Sequence, residues 1–338
     1  MSLRVVDHPA SAPTAKPATA PSVPARNPGF ALDLDWVGQV RMNRSALERR
    51  AATIGARRTV KKDWQAAWLL KAITLIDLTT LNSDDTDGRV ERLCAKARHP
   101  VRADILQGLG AENLRIVPGA VCVYHAFVAV AVKALDGSGI PVAAVSTAFP
   151  HGLAPLETKL GEIAASVAAG AKEIDIVIER RHVLTGDWQA LYDEVKAYRQ
   201  ACGEAHLKTI LGTGDLATLN QVAKASLVCM LAGADFIKTS TGKEKVNATL
   251  PVTLAMIRMI RWFQEQTGIE IGYKPAGGIS AAKTALDYMA LVKEELGAHW
   301  LAPHLFRFGA SSLLTDIERQ LEHNLTGHYA ADYRQPMA

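Results

Sequence analysis

The sequence predicts an α/β protein: a (β/α)8 barrel with an N-terminal helical extension and a disordered leader. Three observations carry this. Short apolar, β-rich segments alternate with stretches of helical period, which implies a parallel sheet. There are eight such segments, the number that closes a barrel. No G-x-G-x-x-G follows the first of them and no P-loop pattern occurs, which weighs against an open, doubly wound sheet.

Residues 1–29 are rich in Ala, Pro, Ser and Thr, with Pro9, Pro13, Pro17, Pro21, Pro24 and Pro28 recurring every three or four positions. Proline at that density forbids a helix and the stretch has little to bury, so an unfolded leader is expected. With only Arg4 and Arg26 it fits a transit peptide poorly. Residues 30–68 form the expected helical extension, with Ser45 as a candidate N-cap. The basic run Arg57, Arg58, Lys61, Lys62 reads as a solvated helix connection. The barrel is expected over 69–328, with strands near 72–77, 120–124, 141–147, 173–178, 206–211, 235–239, 271–274 and 305–309. Helices are expected near 156–169, 188–202, 216–232, 250–267 and 313–325, and residues 329–338 form a C-terminal tail.

The bulk numbers exclude some functions. The 338 residues carry a net charge of only +4, spread along the chain, which does not argue for nucleic acid. No apolar run reaches membrane-spanning length. The four cysteines, Cys94, Cys122, Cys202 and Cys229, form no CxxC pair, which fits a reducing, cytoplasmic setting.

Alternate residues of a strand face opposite sides. In Glu173–Ile178 the three isoleucines share one face, and Asp175 lies on the other with Val177. The same alternation turns Asp77, Lys208, Lys238 and Lys274 inward. Barrel interiors are normally filled by branched apolar side chains. Five charges from five strands, near the strand ends where barrel active sites lie, point to a catalytic lumen.

Two lysines on neighbouring strands suggest an amine nucleophile. A free lysine carries its neutral amine in only about one molecule in 2,500 at pH 7, and correcting this takes about 4.6 kcal/mol against the ammonium form. Burial and a second cation supply such a bias. Spacing alone leaves open whether Lys238 or Lys274 attacks. Asp175 could relay protons; Asp77 could hold a substrate hydroxyl or balance charge. Glycine turns follow three adjacent strands, at Gly242-Lys243, Gly277-Gly278 and before Ser311-Ser312. Barrels often bind phosphate there, aided by a helix N-terminus.

The motifs DLTTLN (77–82), VCVY (121–124), EIDIVI (173–178), DFIKTSTGK (235–243), KPAGGI (274–279) and RFGASS (307–312) together resemble the deoxyribose-phosphate aldolase family, class I aldolases on a TIM barrel. The likeness runs from about Asp33 to Gly327 and is to the longer branch of the family. The resemblance implies Lys238 as the Schiff-base lysine, with Lys274 and Asp175 as its catalytic partners. It implies phosphate contacts at Gly242, Lys243, Gly277, Gly278, Ser311 and Ser312; Asp77, Lys208 and Thr239 are further candidate substrate contacts. It implies phosphosugar and aldehyde substrates, no cofactor and no metal, with a homodimer as one option for assembly. His125 and Asp215 stand where the family commonly has Pro and Glu. Tyr329 and Tyr333 are weak candidates for a tyrosine that reaches the site in some members. No role is assigned to His151, and Cys122 is expected to be a buried, inert thiol. The alternatives are another class I lyase or transaldolase, and a non-catalytic phosphosugar-binding barrel.

Overall fold

The computed structural model describes residues 26–335. Most of the expected leader, 1–25, and the end of the tail, 336–338, lie outside the described residues. Eight strands form one sheet: β1 (Ile76–Thr79), β2 (Ala120–Tyr124), β3 (Val142–Ser146), β4 (Glu173–Val177), β5 (His206–Ile210), β6 (Phe236–Lys238), β7 (Gly272–Lys274) and β8 (Phe308–Ala310). All ladders are parallel, in the order β7-β6-β5-β4-β3-β2-β1-β8. Bridges Tyr273 to Phe306 and Ala276 to Gly309 join β7 to β8 and close the barrel.

The helices between strands start and stop where their sequences say. Thr249 caps Leu250–Thr267 by accepting from the Val252 N–H, Pro251 occupies the first turn, and Gly268 ends the helix at φ +74°. Asp187 caps Trp188–Cys202, and Thr218 caps Leu219–Leu231. The isoleucine face of β4 packs outward, as expected: Ile174, Ile176 and Ile178 join Leu207, Ile237 and Tyr273 in the core between sheet and helices. A smaller apolar cluster of Leu81, Ala120, Cys122, Ala143 and Val145 fills the lumen on the β1–β3 side. The other side of the lumen holds the charges.

Several boundaries differ from the sequence reading. Ala72 and Ile73 end the helix Lys62–Ile73, so β1 begins only at Ile76. A continuous apolar run satisfies helical and strand periods alike, which is why the boundary was misplaced. Strand β8 likewise starts at Phe308 rather than at 305. Asn43, not Ser45, caps the helix Arg44–Ala52. The end of the leader is packed: Asn27 is buried, and its side chain donates to the carbonyls of Met230 (2.7 Å) and Ala234 (2.9 Å).

The extension lies against the helix ring. Trp36 meets Trp262 edge-on at 5.5 Å and stacks on Phe263. Arg57 and Arg58 both pair with Glu294, so the basic run ties the extension to the helix Ala282–Leu296. Among the described residues, no helix is long and apolar enough to cross a membrane.

Candidate active site

The ladder register assembles the charged layer. Asp175 stands opposite Lys208 across β4 and β5, and Lys238 opposite Lys274 across β6 and β7. All five inward charges expected from alternation are buried there: Asp77, Asp175, Lys208, Lys238 and Lys274. The layer also contains Glu173 and Arg307, which the sequence reading missed. Glu173 shares the face of Asp175, two residues along β4, so the period-2 rule already indicated it. Arg307 precedes β8, where alternation is not read, and its guanidinium bonds Asp77 and Glu173.

Hydrogen bonds separate the three lysines. The Lys208 ammonium bonds Asp77 (3.2 Å), Asp175 Oδ1 (2.9 Å) and Glu173. Lys274 bonds Asp77 and Asp175 Oδ2 (2.7 Å). Lys238 has one carboxylate partner, Asp175 Oδ2, at 2.8 Å. The ammonium form of Lys238 is therefore the least supported.

The charge balance agrees. Lys208, Lys238, Lys274 and Arg307 face Asp77, Glu173 and Asp175, so the fully ionised layer carries one net positive charge. Burying an uncompensated charge is costly. The layer is neutral when one lysine loses its proton, and the electrostatics select which. Burial lowers the pKa of Lys238; Asp175 opposes this and Lys274 reinforces it, leaving the value depressed. For Lys274 burial is outweighed by Asp175 and Asp77, and its pKa is raised. Lys208 is also pushed up, because its carboxylates outweigh burial. Burial disfavours the Asp175 carboxylate too, but Lys208, Lys238 and Lys274 together hold it well below the usual range. The neighbouring Lys274 cation thus contributes, but burial is the larger cause.

Lys238 is also the lysine that reaches open space. It lines a cavity of about 300 Å³ at the C-terminal mouth of the barrel. Lys243, Gly277, Gly278, Ser311 and Ser312 line the same cavity, together with Thr79 and Asn82. Gly277 and Gly278 hold φ of +82° and +78°, which glycine adopts without strain. Ser311 precedes the 15-residue helix Ser312–Thr326, whose N-terminus has no side-chain cap. Uncapped N–H groups at a helix start suit an anion.

The remaining expected contacts are placed differently from one another. Asp77 and Lys208 are fully buried below the cavity, with their polar atoms engaged by neighbours in the layer. This placement favours charge balance over contact with a substrate hydroxyl. Thr239 ties β6 to the segment after β7 through the carbonyl and N–H of Ala276. Gly242 borders the cavity, but its N–H donates to Glu244 at 3.2 Å. His125 and His151 are exposed and do not line the cavity. Cys122 is fully buried, and burial pushes its thiol pKa up, as an inert thiol requires. Tyr329 stacks on His323 and Tyr333 is 84% exposed; neither lines the cavity.

The arrangement is a buried amine, the least supported as an ammonium of the three in the lumen, on a cavity whose wall carries Lys243, two left-handed glycines and an uncapped helix start. It can add to a carbonyl, with a carboxylate and a second ammonium beside it. Comparison with known proteins agrees. A family profile described as DeoC/LacD family aldolase matches residues 71–318. The chain is 60% identical over 312 residues to deoxyribose-phosphate aldolase of Mus musculus, covering 92% of this chain and 98% of that one. It is 58% identical over 316 residues to the Homo sapiens deoxyribose-phosphate aldolase, covering 93% and 99%. Among solved structures, the tetrameric deoxyribose phosphate aldolase from Aeropyrum pernix superposes with a TM-score of 0.56 at 22% identity, over 83% of this chain and 99% of that one, a likeness of fold. The match over most of the chain and the high identity to these relatives leave one conclusion: this chain belongs to the DeoC/LacD family of aldolases.

Proposed function

We propose that this aldolase cleaves 2-deoxy-D-ribose 5-phosphate reversibly to D-glyceraldehyde 3-phosphate and acetaldehyde, in the breakdown of deoxyribonucleosides. The observation that supports this is that Lys238, Lys243, Gly277, Gly278 and the uncapped start of the helix Ser312–Thr326 border one cavity. The relatives' names supply the sugar.

In this reading the neutral Lys238 amine adds to the C1 aldehyde, and loss of water gives an iminium. Asp175, ionised and hydrogen-bonded to Lys238 and Lys274, relays the C3 hydroxyl proton away through water. The C2–C3 bond breaks, and its electron pair enters the iminium to form an enamine. Glyceraldehyde 3-phosphate leaves. Protonation at C2 and addition of water then release acetaldehyde and restore the amine. The iminium is the electron sink, so the step calls for no metal. Lys243, Gly277, Gly278, Ser311 and Ser312 hold the phosphate. Asp77 and Lys208, with Glu173 and Arg307, fix the charge of the layer beneath.

Four buried, unpaired cysteines support a cytoplasmic setting. A homodimer is the proposed assembly, and the mass in solution tests it. The activity is tested by following glyceraldehyde 3-phosphate release from deoxyribose 5-phosphate beside fructose phosphates. Faster cleavage of a fructose phosphate would move the assignment to another class I lyase. No cleavage of any phosphosugar, with binding retained, would leave a binding barrel.

A further inference from the structure

Arg180 opens the helix Arg180–Thr185 after β4, and its side chain is only 12% exposed. Its guanidinium joins three loops. Nη2 meets Glu244 Oε1 at 2.8 Å, Nε lies 3.1 Å from Asp215 Oδ2, and Nη1 donates to the His151 carbonyl at 3.2 Å. It lies so close to Gly212 that a Cβ there would fall 2.0 Å from Nε. A Cβ on Gly214 would fall 1.9 Å from the Val246 carbonyl oxygen. Glycine at 212 and 214 thus lets these neighbours press on the loop after β5.

Glu244 carries the contact to the turn behind the nucleophile. Its Oε2 accepts from the Thr241 N–H (2.9 Å), the Thr241 hydroxyl (2.7 Å) and the Gly242 N–H (3.2 Å). The Thr-x-x-Glu spacing is that of a capping box, here closing a turn with no helix behind it. These donors, with Arg180, outweigh burial and hold the Glu244 carboxyl below its ordinary value. Thr241, Gly242 and Lys243 line the cavity; Glu244 and Arg180 do not. The pair therefore grips the turn from its outer side. Contacts continue to the segment after β7: Asn247 Nδ2 donates to the Glu244 carbonyl (3.0 Å), and a Cβ on Gly277 would meet Asn247 at 2.5 Å.

We propose that Arg180 and Glu244 are positioning residues for phosphate recognition: they clamp the Thr241–Gly242–Lys243 turn so that the Lys243 side chain faces Gly277, Gly278, Ser311 and Ser312. The inference rests on the phosphosugar reading above and deepens it. Neither residue touches the reacting atoms. Lys238 is held separately, by the β5 and β7 ladders and by Asp175. Loosening the clamp moves the phosphate end of the site and spares the amine. An exposed ion pair would do little of this, but here both side chains are shielded and the carboxylate is fixed by three further donors.

The test uses the full chain with Arg180→Met and, separately, Glu244→Gln. Kinetics are measured on 2-deoxyribose 5-phosphate and on unphosphorylated 2-deoxyribose, with inorganic phosphate as a competitive inhibitor. The expected result is a rise of about tenfold in KM for the phosphorylated sugar and in Ki for phosphate, with kcat/KM for the unphosphorylated sugar held within about threefold. Arg180→Lys should recover part of the loss. Equal losses on both sugars, or an unchanged Ki for phosphate, would overturn the proposal. Should Arg180→Met fail to fold, Glu244→Gln, which preserves volume, is judged by the same criteria. A wild-type chain that does not cleave deoxyribose 5-phosphate sinks the underlying reading. A wild type that turns over, beside variants of unchanged selectivity, sinks only the clamp.

Discussion

Replacing Lys208 with methionine tests the charge balance of the lumen, because Lys208 is remote from the cavity yet joined to Lys238 through Asp175. Lys208 bonds Asp175 Oδ1 at 2.9 Å, and Lys238 bonds Oδ2 of the same carboxylate at 2.8 Å. Without Lys208 the layer holds Lys274 and Arg307 against Asp77, Glu173 and Asp175. It is then neutral only when Lys238 is protonated. At an effective dielectric of about 20, a unit charge several Å away is worth on the order of 3 kcal/mol, or about two pH units. The pH midpoint for Schiff-base formation should therefore move up by about two units in Lys208→Met. The assay is the initial rate of borohydride-trapped acetaldehyde adduct as a function of pH. Breaking a buried ion pair on one side also costs about 3–5 kcal/mol of stability, so denaturant unfolding is measured alongside. A folded variant whose midpoint stays put, or moves down, would refute the reasoning.

Three further outcomes follow from the same layer. Lys238→Arg should abolish turnover while leaving the fold intact, because a guanidinium stays charged and cannot condense; measurable cleavage by the purified variant would contradict the assignment. The pH dependence has a definite sign. Burial and Lys274 depress the Lys238 pKa below its ordinary 10.5, so the neutral amine, and kcat/KM with it, should rise with pH and level off below 10.5. The stability linked to this group rises over the same interval, as pH climbs from the folded value to the unfolded one; a rate still climbing at pH 10.5 would argue for an unperturbed lysine. Activity should also survive dialysis against EDTA, since the iminium accepts the electron pair; loss restored by a divalent metal would favour metal-assisted chemistry.

The sequence made much of this legible because barrels couple position to period. Once β4 is a strand, the three isoleucines of Glu173–Ile178 must share a face, and Asp175 must share the other with Glu173. The same rule turned Lys238 and Lys274 inward, and the structure has both in the lumen. What stayed hidden depended on contacts between distant segments. Asp77 looked able to meet a substrate because nothing in its own strand shows that Lys208, Lys274 and Arg307, from three other strands or strand edges, surround it. Gly242 looked like a free amide donor because its acceptor, Glu244, turns back only when the turn closes. The β1 boundary was lost in an apolar run with no period. Asn27 reads as part of an unfolded leader because its partners, Met230 and Ala234, lie more than two hundred residues away.

The account depends on one amine among three in the lumen being the nucleophile. Incubation with acetaldehyde and borohydride, followed by peptide mapping, identifies it directly. The adduct should fall on Lys238, with Lys208 and Lys274 unmodified. An adduct confined to either of those, or no adduct under turnover conditions, would contradict it.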